Sequence, residues 1–157
     1  ALGDRLDWYG NGVNPVPEKW QGLADYRYTI VLENQSSHHV ITEKLYDAFL
    51  ALCFPLYWGA PDVDKFFDPA SFMPIDIKDF SRTVAAIEEL LARDPYEQLL
   101  PAIQEGKRRV LDDYHLYARL ARIAKAAMAT PAAMDDVALL PMASPAQIPW
   151  WRRNLMR

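Results

Sequence analysis

Two short apolar runs with a helical period between them constrain this chain more than any other feature. The first, Tyr26 to Leu32 (YRYTIVL), is rich in β-branched and aromatic residues, which favour a pleated strand. Ile30, Val31 and Leu32 follow one another without alternation, as in a strand covered on both faces within a parallel sheet. The second run, Phe54 to Trp58 (FPLYW), reads as another buried strand. Between them, Glu33 to His39 (ENQSSHH) is polar and aperiodic, a loop. Thr42 then fits a helix N-cap, and Leu45, Ala48, Phe49 and Leu52 recur at helical spacing, which predicts a helix over 43–53.

The flanking segments extend this pattern. Leu6 to Tyr9 predicts a short strand leading into a loop punctuated by Gly10, Gly12, Pro15 and Pro17. Gly59-Ala60-Pro61 turns the chain, Asp62 to Phe67 suits one or two helical turns, and Ser71 to Ile75 a short strand. Phe80, Val84, Ile87, Leu90 and Leu91 form one stripe, predicting a helix over 79–93 that Asp94-Pro95 ends. Further helices are expected over 96–105 and, unbroken, over 107–128, the last with Tyr114, Tyr117, Leu120, Ala121 and Ala124 on one side. Pro131, Pro141, Pro145 and Pro149 mark an extended tail from 129 to 157. Strands and helices in this order predict an α/β fold, a parallel sheet flanked by helices over 1–128. Such sheets bind ligands at the carboxyl ends of their strands, where Glu33 to Lys44 falls.

Composition narrows the function classes. The 157 residues are 51% hydrophobic and 24% charged, as in an ordinary globular domain. A net charge of -4 gives no global pull toward nucleic acid, and no nucleic-acid partner is expected. Cys53 is alone, so it has no internal disulfide partner. No run approaches the roughly 18 apolar residues of a membrane-spanning helix. The opening ALGDRLDWYG lacks the layout of a secretory leader. It begins at Ala, as expected of a processed chain or a piece of a longer one.

The chemistry-bearing residues cluster after the first strand. A helix N-terminus presents unpaired N–H groups and a partial positive charge, which favour an anion. Lys44 in that first turn opposes the helix dipole, a placement that makes sense if it answers a phosphate. Glu43 suits the dipole without any ligand, and as a ligand group would accept bonds from sugar hydroxyls. A capped surface helix with a solvated Glu43–Lys44 pair is the alternative. His38-His39 points to a polar loop, one that could close over a ligand, rather than to a metal site, since adjacent residues diverge and no third ligand is evident. Asp112-Asp113 reads as a solvated helix face, and Tyr57-Trp58 as core. Asp62-Val63-Asp64 reads as capping charge. In the tail, Pro149-Trp150-Trp151-Arg152-Arg153 mixes aromatics and cations, which suits a weak contact with a membrane surface, packing against the domain, or a simply disordered end.

The stretch Tyr26 to Pro61, YRYTIVLENQSSHHVITEKLYDAFLALCFPLYWGAP, resembles the α-1,3-fucosyltransferases, family 10 of the glycosyltransferases. An aromatic strand ending in F/L-E-N, a variable loop, V-T-E-K, a D-A/C-F helix and P-I/V-Y-W-G-A-P recur there at fixed spacing. The likeness continues more weakly to about Ala124. It implies the C-terminal, donor-binding half of a GT-B enzyme: a Rossmann-like domain that binds GDP-fucose, with no required cofactor and no Asp-x-Asp metal motif in use. By resemblance Asn34 lies near the diphosphate or sugar, Glu33 holds the loop or the sugar, and Glu43 bonds ribose or fucose hydroxyls. Lys44 neutralises the diphosphate, Thr42 opens the helix, and Tyr57, Trp58 and Gly59 shape the floor. Val40 stands where relatives carry an aromatic residue against the nucleotide, Ile41 replaces the Val of V-T-E-K, and His39 is placed to substitute for that aromatic. The family's general base and an arginine that grips the diphosphate precede this segment, so the glycan acceptor is expected to bind through a half this chain lacks. The segment alone is expected to bind donor and transfer fucose poorly. The resemblance implies a cytoplasmic or membrane-peripheral setting in a bacterium and the Golgi lumen in a eukaryote. A nucleotide-sugar-binding module serving a partner subunit, or a relative using another nucleotide sugar, are the other readings.

Overall fold

The computed structural model describes residues 2–10 and 12–129. The Pro-rich tail from residue 130 and its Pro149–Arg153 patch lie outside the described residues. The chain divides into two units, residues 1–122 and 123–157. Of the second, only 123–129 is described.

The central strand is the one read from FPLYW. Strand β2 (Phe54–Trp58) lies between β1 (Tyr28–Leu32) and the short β3 (Met73–Pro74), and both pairings are parallel. Tyr28 pairs with Phe54 and Leu32 with Trp58. Phe54 to Tyr57 are all buried, as a strand with neighbours on both sides requires. Pro55 is tolerated there for a definite reason. The Phe54 N–H points to β1, donating to the Arg27 carbonyl at 2.7 Å. Alternation turns position 55 the other way, where β3 begins to pair only at Leu56. The missing N–H of proline therefore leaves no ladder bond unmade.

β1 departs from expectation. Val31 is buried, but Leu32 is 45% exposed. Among the described residues β1 is an edge strand; Ile30, on the same face as Leu32, packs against the core, but that cover does not reach Leu32. No strand forms at Leu6 to Tyr9. Gly3–Arg5 makes a 3-10 turn, and the following residues are tied by side chains instead: Tyr26 donates to Asp7, and Asn14 to the Trp8 carbonyl.

Helix α1 (Glu43–Leu50) crosses from β1 to β2 and buries Leu45, Ala48 and Phe49. It ends earlier than predicted, because Leu52 turns to φ 60°. Lys107 and Tyr96 cover this corner by donating to the carbonyls of Leu50 and Leu52. Helix α2 (Phe80–Arg93) follows its stripe and buries Ile87. Asp79 caps it at one end, and Asp94 in the left-handed region closes the other. Helix α3 (Tyr96–Arg109) buries Ile103 and Gly106. A Cβ at Gly106 would lie 2.7 Å from the Phe49 ring, so glycine sets how closely α1 and α3 approach.

The long third helix is broken. After α3 the backbone widens into a π turn at Val110–Tyr114, closed by the His115 N–H on the Val110 carbonyl. His115 is extended, and α4 (Leu116–Ala129) starts afresh. The extra residue per turn turns Tyr114 onto the core. There it stacks on Tyr46, donates to the Phe66 carbonyl, and packs against Phe67. Tyr117 and Leu120, expected on the same stripe, are exposed.

Cys53 is fully buried, and its thiol faces the carbonyls of Leu23 and Tyr26 at 3.2 and 3.1 Å. Burial pushes the thiol pKa up to about 11, so at pH 8 about one thiol in a thousand is ionised in the folded state. Alkylation by iodoacetamide at pH 8 is expected to track unfolding, with the native thiol at least a hundredfold slower than the denatured one. Labelling of native protein at the denatured rate would show this corner to be open.

Candidate functional site

Parallel pairing of β1 and β2 brings Glu33 and Gly59 side by side, each one residue beyond its strand. The Glu33 N–H donates to the Trp58 carbonyl at 2.9 Å, extending the ladder by one rung. This carries the Glu33 side chain to the carboxyl edge of the sheet, where it is only 4% exposed. A carboxylate so buried must be matched by donors, and Thr42 supplies two. Its N–H reaches Oε1 at 2.9 Å and its hydroxyl reaches Oε2 at 2.7 Å. The Lys44 ammonium stands 3.6 Å from Oε2. Glu33 is therefore the clasp that closes the loop from β1 to α1.

Thr42 is the N-cap of α1, as its sequence predicts. Its hydroxyl accepts the Lys44 N–H at 3.4 Å while donating to Glu33. The cap is thus held in place by the clasp. Glu43 is exposed at the opening of the helix, and the Lys44 side chain is 32% exposed. The solvated Glu43–Lys44 pair is not formed: Lys44 turns inward to Glu33.

The remaining loop residues divide into two groups. Asn34 and Val40 are exposed. His39 adopts φ 63° and is held by Asp62. The Asp62 carboxylate accepts the His39 N–H at 3.0 Å, with Oδ2 2.9 Å from His39 Nδ1 and 3.5 Å from His38 Nδ1. The His39 ring also meets Phe66 edge-on at 5.8 Å. Asp62 was expected to supply capping charge to the following turn, but its side chain caps nothing in the 3-10 turn Val63–Lys65. It is buried and faces the loop instead. Sequence reading missed this anchor. The signal available was an acid directly after the Gly59-Ala60-Pro61 turn, where β2 delivers it to the same edge as Glu33.

The floor is rigid. Tyr57 is buried, and its hydroxyl accepts the Ala60 N–H at 2.9 Å. Burial raises its pKa above the ordinary tyrosine value. An open cavity of about 450 Å³ lies beside it, lined by Ser36, Trp58, Pro61, Ile75 and Asp76 among others. The edge thus combines an exposed polar loop with fixed ends, a cationic side chain at a helix N-terminus, and an aromatic-walled hollow. Such a site can hold an anionic ligand with a flat or ringed portion.

The profile of glycosyltransferase family 10 (fucosyltransferase), C-terminal part, matches residues 4–99. The chain belongs to this family. The matched span includes all three strands, the clasp and the Asp62 anchor. An α-(1,3)-fucosyltransferase of Helicobacter pylori is 36% identical over 76 residues, 48% of this chain and 16% of that protein. α-(1,3)-Fucosyltransferase B of Drosophila melanogaster is 31% identical over 74 residues, 47% of this chain and 16% of its own length. Among solved structures, an α1,3-fucosyltransferase with GDP-fucose aligns with a TM-score of 0.50 and 33% identity, over 58% of this chain and 27% of that one. The matched part thus spans about a sixth of the curated family 10 relatives. The α/β fold with a parallel sheet and flanking helices is the one the sequence predicted.

Proposed function

We propose that this chain is the donor-binding part of an α-1,3-fucosyltransferase and holds GDP-fucose at the carboxyl edge of β1 and β2. The observation that carries this reading is the Lys44 ammonium at the N-terminus of α1, at the loop edge of a family 10 domain. A structure of a related enzyme with GDP-fucose supports it.

In this reading Lys44 and the free N–H groups of α1 face the diphosphate. Glu43 and Asn34, both exposed, accept and donate to ribose or fucose hydroxyls. Glu33 keeps its carboxylate on Thr42 and acts through the loop. Transfer is inverting. The acceptor hydroxyl gives its proton to a general base, and its oxygen bonds to the fucose anomeric carbon. The bond from that carbon to the diphosphate breaks, and its electron pair leaves with GDP. Charge grows on the diphosphate as the bond breaks, so Lys44 and the helix end stabilise the transition state more than the ground state. The base and the acceptor-binding surface are assigned to the part of the enzyme preceding this segment.

Calorimetric titration with GDP-fucose, GDP and UDP tests the reading. GDP-fucose and GDP are expected to bind and UDP not. Lys44→Ala is expected to weaken both GDP compounds about tenfold, the loss of one charge-assisted contact at a partly exposed site. Glu43→Ala is expected to weaken GDP-fucose. Equal binding of UDP, or parent-like binding by both variants, would overturn the assignment.

A further inference from the structure

We propose that Asp62 is a positioning residue for the donor: it latches the loop 34–41 in a binding-ready shape by gripping His39. The inference rests on the donor-binding reading above and deepens it.

The loop has two fixed points. Its ends are joined by the Glu33–Thr42 clasp, and its far side is held by Asp62, which arrives from the connection after β2. Between these points lies Asn34, one of the exposed residues assigned to the donor, and the loop runs directly into the helix that carries Glu43 and Lys44. Without the second point, eight residues would hang from a single closed base. They would then have to be ordered when ligand binds, at a cost to affinity.

The geometry at Asp62 suits a latch better than a solvated acid. Its side chain is 5% exposed, although both histidines it faces are largely exposed. Oδ1 accepts the His39 N–H at 3.0 Å. Oδ2 is buried and lies 2.9 Å from His39 Nδ1 without receiving a hydrogen bond of good geometry. Lys65 Nζ is 3.7 Å away on the next turn. The His39 N–H bond is the main reason the Asp62 carboxyl sits below its ordinary pKa. His39 meanwhile holds φ 63°, a left-handed conformation that a non-glycine residue keeps only where its surroundings over-determine it. Asp62 grips this residue by backbone and by ring, and Phe66 backs the ring. The bend at His39 sets the direction in which Val40 and Ile41 run to Thr42 and α1.

The experiment measures GDP-fucose affinity by calorimetry on the intact polypeptide that contains this chain, with thermal melting of each variant alongside. Asp62→Ala is expected to weaken binding roughly 10- to 30-fold. Asp62→Asn, which keeps the His39 N–H bond and loses the charge, is expected to weaken it only about threefold. His39→Ala should fall between these, and Asp62→Ala/His39→Ala should bind no worse than Asp62→Ala alone, because the ring contact that His39→Ala removes is already lost in Asp62→Ala. Hydrogen exchange at residues 36–41 should rise in Asp62→Ala while α3 keeps its protection. If Asp62→Ala fails to fold, Asp62→Asn and His39→Ala with their double variant decide. Parent-like affinity in the Asp62 variants, with Lys44→Ala still weakened, overturns the latch and leaves the donor reading standing. Additive losses in the double variant also overturn it. Absence of GDP-fucose binding by the parent overturns the donor reading, and the latch with it.

Discussion

Glu33→Ala is expected to cost about 3–4 kcal/mol of stability and to remove measurable GDP-fucose binding. The carboxylate is buried and accepts both the N–H and the hydroxyl of Thr42. Removing it leaves a backbone donor and a hydroxyl to be resolvated in a closed corner, at about 1–3 kcal/mol for each group left unpaired. It also releases the residue that caps α1, a further loss of about 1 kcal/mol. Lys44 loses its inward partner at 3.6 Å and swings to solvent, away from the position assigned to the diphosphate. Glu33→Gln separates the parts of this effect. The amide keeps the shape, but one of its two ends is a donor facing a donor, so it is expected to recover about half the stability. Denaturant unfolding gives the first quantity and calorimetry the second. A Glu33→Ala variant as stable as the parent would show that the clasp is not what holds the loop. Full donor affinity in that variant would show that the loop need not be held.

How much of this was legible in the sequence depends on the distance over which each residue acts. β2 was legible to the residue because a strand covered on both faces leaves an uninterrupted apolar run. The same rule misjudged Leu32, because an apolar run does not say how far along the strand the covering layer reaches. The period of 107–128 is unbroken in the sequence, yet the helix is interrupted. The inward pull on Tyr114 comes from Tyr46, Phe66 and Phe67, which no local window contains. Thr42 was recognisable as a cap from its neighbours alone. Its bond to Glu33, nine positions earlier, needs the strand register, and the Asp62–His39 bond spans 23 positions and two connections. Family resemblance located the segment proposed to carry the site. It gave Glu33 to either the loop or the sugar and Glu43 to sugar hydroxyls; the bonds from Thr42 tie Glu33 to the loop and leave Glu43 exposed.

Gly59→Ala is expected to destabilise the protein by about 2–3 kcal/mol and to weaken GDP-fucose binding at least tenfold. A Cβ at this position would lie 2.3 Å from the Tyr57 hydroxyl and 2.5 Å from Glu33 Cγ. Neither neighbour has room to yield. Tyr57 is buried, and its hydroxyl is fixed by the Ala60 N–H. Glu33 is pinned by its two bonds to Thr42. Overpacking a rigid wall costs typically about 1–3 kcal/mol, and here two fixed groups meet the added carbon. The strain is relieved most readily by moving Glu33, and that motion passes through Thr42 to the first turn of α1 and Lys44. Stability and donor affinity should therefore fall together. Gly22→Ala serves as the control. The nearest atoms to its added carbon would be those of the Tyr9 side chain, at 3.3 Å, and Tyr9 is partly exposed and can shift. That variant is expected within about 0.5 kcal/mol of the parent, with unchanged donor binding. If Gly59→Ala behaves like Gly22→Ala in both measurements, the wall of Tyr57 and Glu33 is pliant, and the site does not depend on the close approach that glycine permits.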